Sequence, residues 1–242
     1  MTQLNNFFFI IFPYVAVFVL FIGGFYRFFR KGYTVSSLSS QFLEGKKLFW
    51  GSVPFHFGLM VVFFGHLVAF LFPKSILLWN QIPIRLFILE CTALVFSFSL
   101  IYGLIRLFIR RTTNDRILVV TNKMDIVLEL LLILQCVSGV YIAMGHRWGS
   151  SWFATVLSPY LWSIVKFNPQ IEAVSAMPMV VKLHIIGAFL ILLVIPFSRL
   201  IHMFAMPLHY IFRPMQRVIW NWNPKEVRDS KTKWNWHRPK NN

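Results

Sequence analysis

The sequence predicts an all-α integral membrane protein, a bundle of five transmembrane helices. Three observations carry this reading. Of the 242 residues, 57% are hydrophobic and only 13% are charged, and that charged share is about half that of an ordinary soluble domain. The charges fall in blocks, and between the blocks lie five apolar stretches of about 20 residues, enough at about 1.5 Å per residue to cross the hydrocarbon core. The basic blocks also alternate between heavy and light along the chain, as the loops of a polytopic protein do.

The stretches can be justified in order. Residues 4–26 and 53–72 carry no Asp, Glu, Lys or Arg, 86–105 holds Glu90, 124–145 opens on Asp125 and holds Glu129, and 178–198 has Lys182 near its start. A sixth run, 152–165, is shorter and contains Pro159, so it reads as an interfacial or re-entrant piece. The first stretch is too long for a signal-peptide core, has no basic residue before it and no small-residue cleavage site after it, which predicts a retained helix.

Charge sets the orientation. Segments 26–51 and 106–123 hold five basic residues each, and eight more run from Arg213 to Lys240. The opposite side receives Lys74, Arg85, Arg147, Lys166 and Lys182, with Arg199 inside the last span. The positive-inside rule therefore places the N-terminus outside and the C-terminus in the cytoplasm. Residues 1–213 form the membrane domain, and 214–242 form a basic cytoplasmic tail with an internal echo, "WNWNP" and "WNWHRP". The tail reads as a surface for a cytoplasmic partner. The net charge of +16 lies mostly at span ends, where topology and anionic lipid account for it, so the bilayer and not nucleic acid is the partner it implies. Cys91 and Cys136 sit in separate spans and read as small buried hydrophobes.

"PFHFGLMVVFFGHLVAFLFP" places His56 and His66 in the second span, and the fifth span holds His184 and His202. An ionisable ring at membrane depth marks a functional site by default. The two helices run in opposite directions, so depth pairs His66 with His184 near the outer face and His56 with His202 near the cytoplasm. Two imidazole pairs at two depths suit two bis-histidine haems, a ligation that fills both axial positions and serves electron transfer. The ten residues between one pair of rings rise about 15 Å and the eighteen between the other about 27 Å, a mismatch that tilt and a kink at Pro196 can absorb. Gly58, Gly65 and Gly187 lie within a turn of these rings, where either a macrocycle or helix packing would use a missing side chain. A single non-haem metal centre is disfavoured, since it would want three or four converging ligands. A haem-free anchor, or a transporter using Glu90 and Glu129 as proton carriers, remains open from the residues alone.

Several stretches carry a family resemblance: "NNFFFIIFPYVAVFVLFIGG", "SSQFLEGK", "FHFGLMVVFFGHLVAFLFP", "LQCVSG" and "KLHIIGAFLILLVIPFSRLIHMFAMPLHYIFR". They make the chain similar to the gamma subunit of the membrane-bound respiratory nitrate reductase, a five-helix dihaem cytochrome b of the inner (cytoplasmic) membrane. The resemblance implies that His66 and His184 ligate a distal haem b and His56 and His202 a proximal one. It implies quinol oxidation on the outer side at a pocket including Gly65 and His66. The electrons would pass to an iron–sulfur beta subunit and a molybdenum-containing alpha subunit. The family's quinone-site lysine near the start of the third helix is missing from "NQIPIRLFILE", where Arg85 is the nearest cation. Arginine does not replace lysine freely at such a site, and Arg85 also reads as an interfacial anchor. A related redox complex, or the same complex run in reverse as a nitrite oxidoreductase, would use the same subunit plan. Segment 146–178 and the tail match this pattern poorly.

Overall fold

The computed structural model describes residues 2–35, 39–41 and 43–205. His209, His237, the tail and the domain boundary near residue 213 lie outside the described residues. Five helices are long and apolar enough to cross a membrane: Gln3–Arg30, Lys46–Leu71, Pro83–Thr113, Lys123–Gly145 and Met179–Phe197, here the first to fifth spans. No strand occurs among the described residues. Short helices Pro73–Asn80 and Asp115–Leu118 join spans two to three and three to four. Fourth and fifth spans are joined by a helical segment, 149–165, and a turn of helix, Glu172–Ser175.

Several spans extend beyond their apolar runs. The third continues through Arg106, Arg110 and Arg111 to Thr113, because backbone hydrogen bonding does not stop where the hydrocarbon does. Asn122 and Asp125 start the fourth span with a reciprocal capping box, which satisfies orphan N–H groups of the first turn. The fifth ends sooner than its apolar pattern, tightening to a 3₁₀ turn at Ile195–Phe197 and breaking at Ser198, whose backbone is extended. Pro196 lacks the N–H the helix would need there. Arg27 Nη1 donates to the carbonyls of Pro196 and Ser198, both at 2.8 Å, so the first span caps the broken end of the fifth.

Segment 149–165 is not among the helices long and apolar enough to cross. It interleaves an α turn, a π turn at Phe153–Leu157 and an α-helix Ser158–Val165, the wide turn making room ahead of Pro159. It is sewn onto neighbouring helices by hydrogen bonds to backbone carbonyls: Ser158 Oγ to Ala69 at 2.9 Å, Trp162 Nε1 to Phe70 at 3.0 Å, Tyr160 Oη to Phe9 at 2.9 Å, with Tyr14 Oη donating back to Ile164 at 3.0 Å.

The second span packs on the third, the third on the fourth, the fourth on the fifth, and the fifth on the first. Glycine sets the closest crossing. A Cβ on Gly58 would lie 2.6 Å from the Phe96 carbonyl, and one on Gly103 2.7 Å from that of Gly51, so only missing side chains allow these backbones to touch. Buried apolar residues divide into two clusters. Phe55, Leu100 and Leu104 centre one between the second and third spans. Phe9, Ala16, Tyr160, Val181, Ile185 and Phe189 belong to the other, which joins the first span, segment 149–165 and the fifth. The two histidine-bearing helices thus belong to different cores.

Candidate functional site

Each of the four intramembrane histidines has its Nδ1 engaged. His56 Nδ1 lies 2.7 Å from the Ser52 carbonyl, His66 Nδ1 2.8 Å from that of Val62, and His202 Nδ1 2.6 Å from that of Arg199. A carbonyl only accepts, so these nitrogens carry the proton and Nε2 keeps its lone pair. In all three the acceptor is three or four residues back on the same helical turn, a partner that local helix geometry supplies.

His184 reaches the same state through the fourth span. Its Nδ1 lies 2.8 Å from Ser138 Oγ, whose own proton goes to the Gln135 carbonyl at 2.9 Å. Gln135 Nε2 donates to the His184 carbonyl at 2.9 Å and stands 3.3 Å from His184 Nε2. Two glycines admit these contacts. A Cβ on Gly139 would meet His184 Cε1 at 3.1 Å, and one on Gly187 would collide with Gln135 Oε1. Gln135, Ser138 and Gly139 all lie in "LQCVSG". Two uncharged polar residues past the aliphatic run 130–134 of the fourth span are the signal that could have singled them out.

His56 and His66 face open space, whereas His184 packs against Gln135, Ser138 and Gly139 and His202 is half-buried. His56 and His66 are exposed, no hydrogen bond joins His66 to His184 or His56 to His202, and the spans carrying them belong to separate cores. His66 and His184 are nonetheless within electrostatic reach, and Phe153 meets the His66 ring edge-on at 5.4 Å. A Cβ on Gly65 would meet nothing within 4 Å. Of the glycines near the rings, then, Gly58 serves helix packing, Gly187 serves the Gln135 clamp, and Gly65 alone opens onto free space. Among the described residues no three His, Cys, Asp or Glu side chains converge as a metal-ion site. A planar macrocycle gripped by two imidazoles fits opposed helices not packed together, Nε2 atoms without a hydrogen-bond partner on His56, His66 and His202, and an unfilled glycine face; at His184 it would take the place of the Gln135 amide at Nε2.

At the same end of the bundle Glu90 accepts from Ser150 N and Oγ at 2.9 and 2.7 Å, and Asn80 Nδ2 donates to Ser150 and Ser151 hydroxyls at 3.0 and 2.9 Å. Arg85 is exposed, with its guanidinium carbon 5.3 Å from the Trp79 ring centroid, a cation–π contact that suits an anchor.

The opposite end is held by charge. Buried Arg110 pairs with Glu44 at 2.7 Å and donates to Ser40 Oγ at 3.0 Å. Burial works against the Glu44 anion, but the Lys47 N–H and Arg110 outweigh it and hold the carboxyl below its ordinary range. Arg111 meets Glu129 at 2.9 Å and Asp125 at 3.4 Å, and Arg199 meets Asp125 at 2.8 Å. Arg110 and Arg111, read from the sequence as topology markers, hold the spans together along with Arg199, and Glu129 is committed to that lattice.

Fold and site together define a multi-pass helical membrane protein with two imidazoles on its second span and two on and just after its fifth, each with its Nδ1 engaged. The family model described as the nitrate reductase gamma subunit matches residues 5–221. The chain is 31% identical over 207 residues to the nitrate reductase gamma chain of Bacillus subtilis (strain 168), covering 84% of this chain and 92% of that one. It is 31% identical over 220 residues to the respiratory nitrate reductase 2 gamma chain of Escherichia coli (strain K12), covering 89% and 96%. It is 30% identical over 223 residues to the respiratory nitrate reductase 1 gamma chain of the same strain, covering 90% and 98%. The chain belongs to the nitrate reductase gamma subunit family.

Proposed function

We propose that this chain is the quinol-oxidising cytochrome b subunit of a respiratory nitrate reductase. His66 and His184 hold one haem b toward the outer face, and His56 and His202 hold a second toward the cytoplasm. The observation that carries this reading is the shared protonation pattern: four Nδ1–H groups tied to oxygen acceptors, which orient each imidazole and raise its basicity at Nε2. Bound there, the haems supply one-electron transfer across the bilayer; their ligand spacings set them about 20 Å apart along the helices.

Gly65 and His66 form the quinol side of the outer site, and Arg85 stands at its rim on Trp79. The basic ends of the spans face the cytoplasm of a cell whose inner membrane holds the protein, with the N-terminus outside. The electrons are destined for an iron–sulfur beta subunit and a molybdenum-containing alpha subunit on that cytoplasmic side, with the 214–242 tail contributing to docking.

The test is haem stoichiometry of the purified chain with a reduced-minus-oxidised spectrum, followed by addition of a quinol analogue. Two b-type haems, reduced by the quinol, are expected. A well-folded protein that retains no haem would overturn the reading.

A further inference from the structure

We propose that Glu90 is the proton acceptor for quinol oxidation at the outer site, a role that rests on the functional reading above. Four elements meet there: the second span with His66 and Gly65, the short helix Pro73–Asn80, the third span with Glu90, and the start of segment 149–165. Glu90 is half-buried in an apolar span. Among the described residues it has no ion-pair partner, whereas Glu44, Asp125 and Glu129 are each paired with arginine. A carboxylate kept at membrane depth without a cation is costly and points to proton traffic.

Its two oxygens are used unequally. Oε1 takes both Ser150 donors, while Oε2 takes no hydrogen bond and remains accessible to a proton donor. Ser150 is fixed in turn by Asn80. Three residues on, about 4.5 Å along the helix, Phe153 packs against the His66 ring. The carboxylate and the proposed haem ligand are therefore held by one rigid segment. At this end of those elements the charged and titratable groups are His66, Lys74, Arg85 and Cys91, with His146 and Arg147 just ahead of segment 149–165, and none is paired with Glu90.

The chemistry balances. For each hydroquinone O–H bond broken, Oε2 forms one O–H bond and then releases the proton to the outer aqueous phase. Two such cycles account for the hydroquinone's two protons, and its two electrons leave singly to ferric haem as oxidant. A base within hydrogen-bond reach contributes about 10²–10⁴-fold to such a transfer.

The experiment uses the full complex with a soluble quinol. Glu90→Gln keeps an acceptor for Ser150 and removes the base. Its quinol-driven haem reduction is expected to fall at least about 100-fold, with the dithionite-reduced spectrum unchanged. Infrared difference spectra on quinol addition are expected to lose a carboxylic C=O band. Ser150→Ala removes one of the two donors to Oε1, so in that variant the same band is expected to persist at a shifted position. A Glu90→Gln rate within twofold of wild type, or an infrared band that persists in Glu90→Gln, would overturn the assignment. Should Glu90→Gln not fold, an unmoved band in Ser150→Ala does the same. Failure of the wild-type haems to accept electrons from quinol would instead remove the functional reading beneath it.

Discussion

Arg199 Nε lies 2.8 Å from Asp125 Oδ1, and the carbonyl of the same arginine accepts Nδ1–H of His202 at 2.6 Å. Asp125 is buried, and its Oδ2 takes the Asn122 N–H at 2.9 Å and faces Arg111 at 3.4 Å. The 3₁₀ turn Arg199–Ala205 that presents His202 is therefore fastened to the fourth span by charge. Asp125→Asn keeps the shape and removes the charge. It is expected to weaken retention of the inner haem by about 10–100-fold, the usual cost of losing an outer-shell partner, while the outer haem stays. Haem stoichiometry with resolved spectra measures this; a full inner complement would mean that Asp125 does not carry the hold on Arg199, which also donates to the Val120 carbonyl at 2.7 Å.

The pairing by depth makes its own demand. His66→Ala or His184→Ala is expected to remove the outer haem and end quinol-dependent reduction with the inner haem retained. His56→Ala is expected to leave quinol-analogue binding intact and block transfer to the cytoplasmic subunits. Spectra of the single variants decide it, since loss of both haems together, or of neither, breaks the pairing.

Two glycines near the histidines should behave oppositely. Gly187→Ala drives a methyl into the Gln135 amide, whereas Gly65→Ala meets nothing within 4 Å. Gly65→Ala is expected to change stability by no more than about 0.5 kcal/mol yet to weaken a quinol analogue at least tenfold. Gly187→Ala is expected to disturb the outer haem itself. Thermal unfolding beside analogue titration separates the two, and equal effects would place the open face elsewhere.

The five spans were legible because about 20 apolar residues in a row have few other uses. Their ends were less so: the third span was expected to stop near residue 105 and runs to Thr113, since hydropathy marks the hydrocarbon and not the end of hydrogen bonding. The four histidines stood out as polar rings in apolar helices. The partners of His184 did not. Ser138 and Gln135 reach His184 across 46 and 49 residues, and the Glu44–Arg110 link spans 66. Such contacts depend on how helices pack, which periodicity within one helix does not specify. Arg110 and Arg111 illustrate the limit: adjacent in sequence, they turn different ways, one to Glu44 in the loop before the second span and the other to Glu129 in the fourth span.

The Glu44–Arg110 link carries a sign in pH. Although burial opposes the anion, the Lys47 N–H and Arg110 set the folded carboxyl below its ordinary value, which is about 4.3. A depressed value means the stabilisation is complete above the ordinary carboxylate range and is lost as pH falls through the lower, folded value. Glu44→Gln is therefore expected to unfold at a lower temperature than wild type near pH 7, and the two should converge in acid. A constant offset across pH would mean that Glu44 contributes shape and not charge.

The last prediction concerns a carbonyl that proline leaves open. Pro13 has no N–H to return to the Phe9 carbonyl four residues back, the preceding turn is widened to a π-helix over Phe7–Ile11, and that carbonyl accepts the Tyr160 hydroxyl at 2.9 Å. Both residues are buried, Phe9 at 1% and Tyr160 at 2% exposure, so no water stands ready to replace the donor. Tyr160→Phe removes only the hydroxyl and is expected to cost about 1–3 kcal/mol, the penalty of an unpaired buried acceptor. Pro13→Ala restores an amide N–H that can close the turn from within the first span. The double variant should therefore recover much of the loss, a coupling that thermal unfolding in detergent reads as non-additivity. Strictly additive effects would show that the tyrosine hydroxyl and the proline act on the first span independently.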